Sequence, residues 1–211
     1  MQNPASHVRS MWPGRILDVT GALCILLGAA VLVGWHTHAT RLVQITADTS
    51  PMSYNSALGM AFIGLAMLAA RVRRNRLSTG LAAVAILIGV LTLVQYVLSV
   101  SIGIDQLFMR AYITYGSSSP GRMGFNTAVC LALGAVAIIV AILPVRTHAP
   151  SLIVGLLGAV ITGLGIVSLF GYASDIPAAY GWGQFSNMAP HTAMGCVVLG
   201  GGLSAYACSR G

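Results

Sequence analysis

The stretch "PMSYNSALGM" at 51–60 decides the fold, because it returns as "RMGFNTAVCL" at 122–131 and as "NMAPHTAMGC" at 187–196. Aligned, all three read Met-x-x-Asn/His-Ser/Thr-Ala-x-Gly/Cys, with the methionines at Met52, Met123 and Met188. Recurrence at this spacing is the signature of a repeated supersecondary unit. The unit must then be placed in water or in lipid.

Composition decides that. The 211 residues are 56% hydrophobic and 7% charged, with mean hydropathy +0.84. A soluble domain carries about 25% charged residues. There is no Lys and no Glu, and the charge comes from eleven Arg and four Asp, a formal +7. Such a chain cannot cover a globular surface and belongs in a bilayer. Six apolar runs approach the ~20 residues a span needs: 16–35, 53–70, 77–100, 124–143, 151–172 and 189–208. They are separated by polar or Pro/Gly-bearing breaks such as "RVRRNR", "GSSSPGR" and "RTHAPS".

With the N-terminus cytoplasmic, the inner segments hold Arg9, Arg15, Arg71, Arg73, Arg74, Arg76, Arg146 and Arg210. The outer loops hold Arg41, Arg110 and Arg122. This positive-inside bias puts both termini in the cytoplasm and the excess charge beside anionic lipid. No nucleic-acid partner is needed to explain it. Asp48, Asp105 and Asp175 fall one in each outer loop, and Asp18 starts a helix on the inner side. The N-terminus lacks a cleavable signal pattern, so the first span is expected to stay. Cys24, Cys130, Cys196 and Cys208 lie in apolar runs with no CxxC spacing and read as buried small hydrophobes.

The expected fold is an all-α integral membrane domain at 16–208. Its six helices form three pseudo-repeated hairpins, about 16–72, 77–145 and 151–208, in a compact bundle. Residues 1–15 form a cytoplasmic segment, and 209–211 a cytoplasmic end read as truncated before an output domain. Each outgoing helix ends near an aromatic residue: Trp35, Tyr96, and Phe170 or Tyr172. The motif then starts the returning helix, with Ser50-Pro51 and Asn187 as expected N-caps. Gly28, Gly64, Gly134, Gly158, Gly165 and Gly200–Gly202 supply small contact surfaces for packing in lipid.

Symmetry would bring Asn55, Asn126 and His191 to one depth near the outer face, with Met52, Met123 and Met188 and the hydroxyls Ser56, Thr127 and Thr192. Together with Asp48, Asp105 and Asp175 at the rim, they make a candidate small-molecule cavity. The competing reading is structural: first-turn polar groups satisfy orphan N–H groups, and Met fills gaps. His36 and His38 in "GWHTHAT", with His191, raise haem, copper or zinc. His side chains at i and i+2 do not share a helix face, so no cofactor is expected. With no Ser-His-Asp, Cys-His, HExxH or Walker pattern, the segment is not expected to be an enzyme.

The blocks "PMSYNSALGMAFIGLAML", "GIDQLF" with "PGRMGFNTAVCLALGAVAI", and "MAPHTAMGCVVLGGG" resemble a recurring N-terminal membrane region of bacterial signalling proteins. There, similar M-x-x-N-T-A-L helices precede PAS, histidine-kinase or diguanylate-cyclase modules. The resemblance implies a sensory module in the bacterial inner membrane. It would pass an outer or lipid-borne signal through the sixth helix to a cytoplasmic output domain, as a homodimer. The rival expectations are a small six-helix transporter or channel, a haem- or metal-binding membrane protein, and a passive membrane anchor.

Overall fold

The computed structural model describes residues 4–115, 117, 119–144, 147–183 and 185–210, with side chains from residue 13 onward. Arg9, Arg146 and residue 211, which enter the charge and boundary readings, lie outside these described side chains.

The described residues are all-helical, and the order is α1 (Pro4–Thr37), α2 (Thr40–Val43), α3 (Tyr54–Arg71), α4 (Asn75–Val97), a 3-10 turn (Ile104–Gln106), α5 (Phe125–Ala141), α6 (Ala149–Ala173), α7 (Pro177–Tyr180) and α8 (Pro190–Arg210). The expected break at residue 16 is absent, since α1 runs through it from Pro4. Within α1, Pro13–Thr37 is long and apolar enough to cross a membrane, as are α4, α6 and α8. The helices α3 and α5, at 18 and 17 residues, are not among these four.

Burial divides the helices differently. α4 and α6 each leave most of their length unburied, with Leu87 and Val90 or Leu152, Leu156 and Phe170 turned outward. A helix apolar on its exposed side requires a non-aqueous surround. α3, α5 and α8 bury about half their residues against protein. The chief packing partners are α1 with α3, α4 with α5, and α6 with α8.

The loop end of the bundle carries the long connections 38–53, 98–124 and 174–189. There the same joint appears in each pair. Trp35 Nε1 donates to the Met52 carbonyl at 2.9 Å, Tyr96 OH to the Met123 carbonyl at 2.7 Å, and Tyr172 OH to the Met188 carbonyl at 2.8 Å. Three residues past each aromatic the chain turns left-handed, at His38 (φ 56°), Ser99 (φ 53°) and Asp175 (φ 54°). The following amides, Ala39 N, Val100 N and Ile176 N, bond back to the carbonyls of Gly34, Gln95 and Gly171 at 3.0, 3.1 and 2.8 Å. These are Schellman-type helix stops, built without the usual glycine.

The returning helices also begin alike. Tyr54, Phe125 and Pro190 each stand two residues after the motif methionine. The methionines therefore lie in the lead-in rather than in the helix, which corrects the expected start. Ser53, not Ser50 or Pro51, caps α3, its side chain accepting from Ser56 N at 3.2 Å. Asn187 likewise lies before the lead-in methionine of α8 instead of capping it.

Close packing repeats further down. A Cβ on Gly28 would stand 2.5 Å from Ala57 O, on Gly89 2.9 Å from Ala128 O, and on Gly165 2.8 Å from Ala193 O. Each carbonyl belongs to the motif alanine. The inner helices then interlock in one direction. A Cβ on Gly59 (α3) would strike Leu131 (α5) at 2.6 Å, the Cys130 thiol (α5) lies beside that of Cys196 (α8), and a Cβ on Gly195 (α8) would strike Met60 (α3) at 2.7 Å. Below this layer lie the buried sets Ile63, Gly134 and Leu199, then Met67, Ile138 and Leu203. Of the Gly200–Gly202 run, Gly200 packs on Gly158 and Thr162 of α6 and Gly202 on Thr20 of α1, while Gly201 faces open space.

Candidate functional site

At the loop end, the residues two before each methionine, Ser50, Gly121 and Ser186, line one narrow cleft. Two of them meet the aromatic of a neighbouring pair. Ser186 N donates to Tyr96 OH at 3.3 Å. Ser50 Oγ lies beside the Tyr172 hydroxyl, whose proton is committed to Met188 O. Gly121 shares the cleft wall with Trp35. Tyr115 and Ser117, from the loop before α5, also line the space, and Ser117 Oγ stands 3.4 Å from Ser186 Oγ. The volume is about 20 Å³, room for a single water in a polar setting.

Beside the cleft sits a buried polar network. Arg122 Nε donates to Asp105 Oδ2 at 2.9 Å, and both side chains are almost wholly buried. Gln95 Nε2 donates to Asp105 Oδ1 at 3.0 Å, while Gln95 Oε1 accepts from Ile102 N at 3.0 Å. Arg122 also donates to Val100 O at 3.1 Å and lies over the Tyr96 ring at 5.4 Å. Every charge is paired and hydrogen-bonded, the condition under which a buried ion pair is tolerated.

Most of the twelve residues expected to form a cavity are buried in packing or hydrogen-bonded. Met52, Met123 and Met188 are fully buried, as the joints above require. Asn55 Nδ2 donates to Ile104 O at 2.9 Å, tying α3 to the loop after α4. Asn126 is buried one turn above Cys130, and His191 one turn above Gly195 with its Nδ1 buried and unpartnered among the described residues. Ser56, Thr127 and Thr192 are buried as well, Ser56 Oγ lying 2.7 Å from Ser53 Oγ. Of the rim carboxylates, Asp48 and Asp175 are exposed and Asp105 is locked to Arg122. None of the twelve lines the cleft.

The histidines raised as metal ligands have aromatic partners. His36 Nε2 is 3.2 Å from Tyr54 OH, and the His38 ring lies 4.7 Å from that of Tyr112. Among the described residues no three His, Cys, Asp or Glu side chains are placed to hold a metal.

Aromatic contacts fold the loops 98–124 and 174–189 over their neighbours. Phe108 stacks on Tyr54 at 6.0 Å, and Phe185 on Phe125 at 5.0 Å. Tyr112 meets Trp35 at 4.8 Å and donates to Gly34 O at 3.2 Å. Sequence reasoning missed the residues two before each methionine. The signal was there in Ser-Pro-Met, Gly-Arg-Met and Ser-Asn-Met, where a small residue always precedes. No protein-family model matches the chain, and no curated protein or solved structure is significantly similar to it.

Proposed function

We propose that this chain is the membrane-embedded signal-input module of a bacterial signalling protein. It spans the inner membrane six times as three parallel hairpins, α1/α3, α4/α5 and α6/α8, with both termini cytoplasmic. The recurring aromatic-to-methionine joint, the left-handed stop and the glycine-on-alanine crossing support the three-hairpin reading. The inner helices α3 and α5 still reach about 26 Å at 1.5 Å per residue, close to the ~30 Å hydrocarbon core. The outer cleft receives a small polar signal, and α8 carries the response from His191 to Arg210, at the cytoplasmic face, where the output domain of a homodimer would engage.

The observation that carries this reading against transport is the filled axis. Between the cleft and the arginine end stand the layers led by Met60, Ile63 and Met67, all fully buried. A carrier or channel needs a polar path or broken helices at mid-depth, and the helices described here run unbroken. A receiver needs only two states of different affinity for the signal.

The test joins topology to output. Reporter fusions at 45, 115 and 180 are expected to report outside, and at 74 and 147 inside. In the natural full-length protein, His191→Ala is expected to alter the response to an external stimulus. An inside signal at 115 overturns the topology, and an unaltered response with normal expression leaves the passive anchor standing.

A further inference from the structure

The largest of the described cavities lies at the other end of the bundle, about 600 Å³ between the ends of α3, α5 and α8 and the start of the apolar part of α1. Its floor includes Met67, Ile138 and Leu203, the last buried layer of the axis. Its mouth carries Arg71, Arg73 and Arg210. Two of these guanidiniums are held in place. Arg71 lies across Gly14, where a Cβ would come within 2.5 Å of its Nε, and it pairs with Asp18 at 3.4 Å. Arg210 Nη1 donates to Tyr206 OH at 2.7 Å and to the α5 carbonyl of Ala141 at 3.2 Å. Arg73 is exposed on the turn after α3.

Three cations against one half-exposed carboxylate leave the mouth positive, while the floor offers only hydrocarbon. A ligand that satisfies both must be anionic at one end and apolar at the other. Guanidinium forks suit phosphate oxygens in particular. The volume falls in the ~300–1,000 Å³ range of small-molecule sites. We infer that this vestibule binds an anionic phospholipid from the adjoining leaflet, its phosphate between Arg71 and Arg210 and an acyl chain over Met67, Ile138 and Leu203.

Such binding rests on the membrane reading alone and is independent of signalling, so topology fusions and lipid binding can fail separately. The chain, purified in uncharged detergent, is titrated with dioctanoyl phosphatidylglycerol, dioctanoyl phosphatidylcholine or glycerol 3-phosphate, and bound species are counted by native mass spectrometry. One phosphatidylglycerol per chain is expected, with the other two bound much more weakly. Arg71→Gln and Arg210→Gln are each expected to weaken it by about fivefold. Because those arginines also pack on the fold, Arg73→Gln serves as a surface variant with a smaller loss in the same direction. Equal retention of phosphatidylcholine, or unchanged affinity in Arg73→Gln and in a folded Arg71→Gln/Arg210→Gln chain, overturns the assignment. Glycerol 3-phosphate binding as tightly as the lipid overturns it in favour of a soluble phosphate compound.

Discussion

The two ends of the bundle are built on opposite plans. At the loop end, long connections fold over one another, an ion pair is buried, and about 20 Å³ remains open. At the arginine end the connections are short turns, the one described ion pair is half exposed, and about 600 Å³ stays open. The first end spends its polar groups on one another. The second leaves its charges facing outward, where lipid or a partner can meet them. Substitutions should therefore be costly at the loop end and nearly silent for stability at the other.

The strongest break of that contrast is Asp105→Asn, which strands Arg122 in a buried setting. A loss of about 3–5 kcal/mol is expected, from the general cost of removing one partner of a buried pair. Chemical denaturation in detergent measures it. A loss below 1 kcal/mol, by the same general scale, would mean the network is solvated. Gly28→Ala comes next, because the new Cβ meets the Ala57 carbonyl at 2.5 Å. About 1–3 kcal/mol is expected for such overpacking, whereas Gly201→Leu, facing open space, should change little. Tyr172→Phe keeps the ring and removes only the hydroxyl that donates to Met188 O, for about 1–2 kcal/mol. The smallest effects separate the ends by sign. His38→Gly relieves a left-handed residue and should stabilise by about 0.5–1 kcal/mol, read as a raised melting temperature. Arg73→Gln at the arginine end should stay within about 0.5 kcal/mol of the parent.

The repeated motif, the membrane class and the aromatic partners were legible in the sequence, because each is a local pattern of residue types. The joints themselves are half visible: the sequence puts Trp35, Tyr96 and either Phe170 or Tyr172 at the ends of the outgoing helices, but the bonds of Trp35, Tyr96 and Tyr172 to methionine carbonyls involve backbone atoms that no letter records. The left-handed stops were hidden for the same reason, since His38, Ser99 and Asp175 share a conformation and no chemistry. Asp105 and Arg122 were read as separate outer charges. Only the fold of the connection between them decides whether two charges in one loop meet or part. The open space at the loop end lies among residues preceding the motif, while Asn55 is taken up by the next loop's carbonyl.

The one-way interlock of the inner helices has a consequence for how such a molecule is assembled. On the three-hairpin reading, each hairpin offers a small-residue face to the next and receives on its large-residue face from the one before: Gly59 to Leu131, Cys130 to Cys196, Gly195 to Met60. This is a head-to-tail interface, which either closes into a ring or propagates. During synthesis the first two hairpins hold one unmatched face each, and only the arrival of α8 matches both. The helix α8 is thus the keystone of the bundle, and a nascent chain halted before it is a monomer only by virtue of being alone.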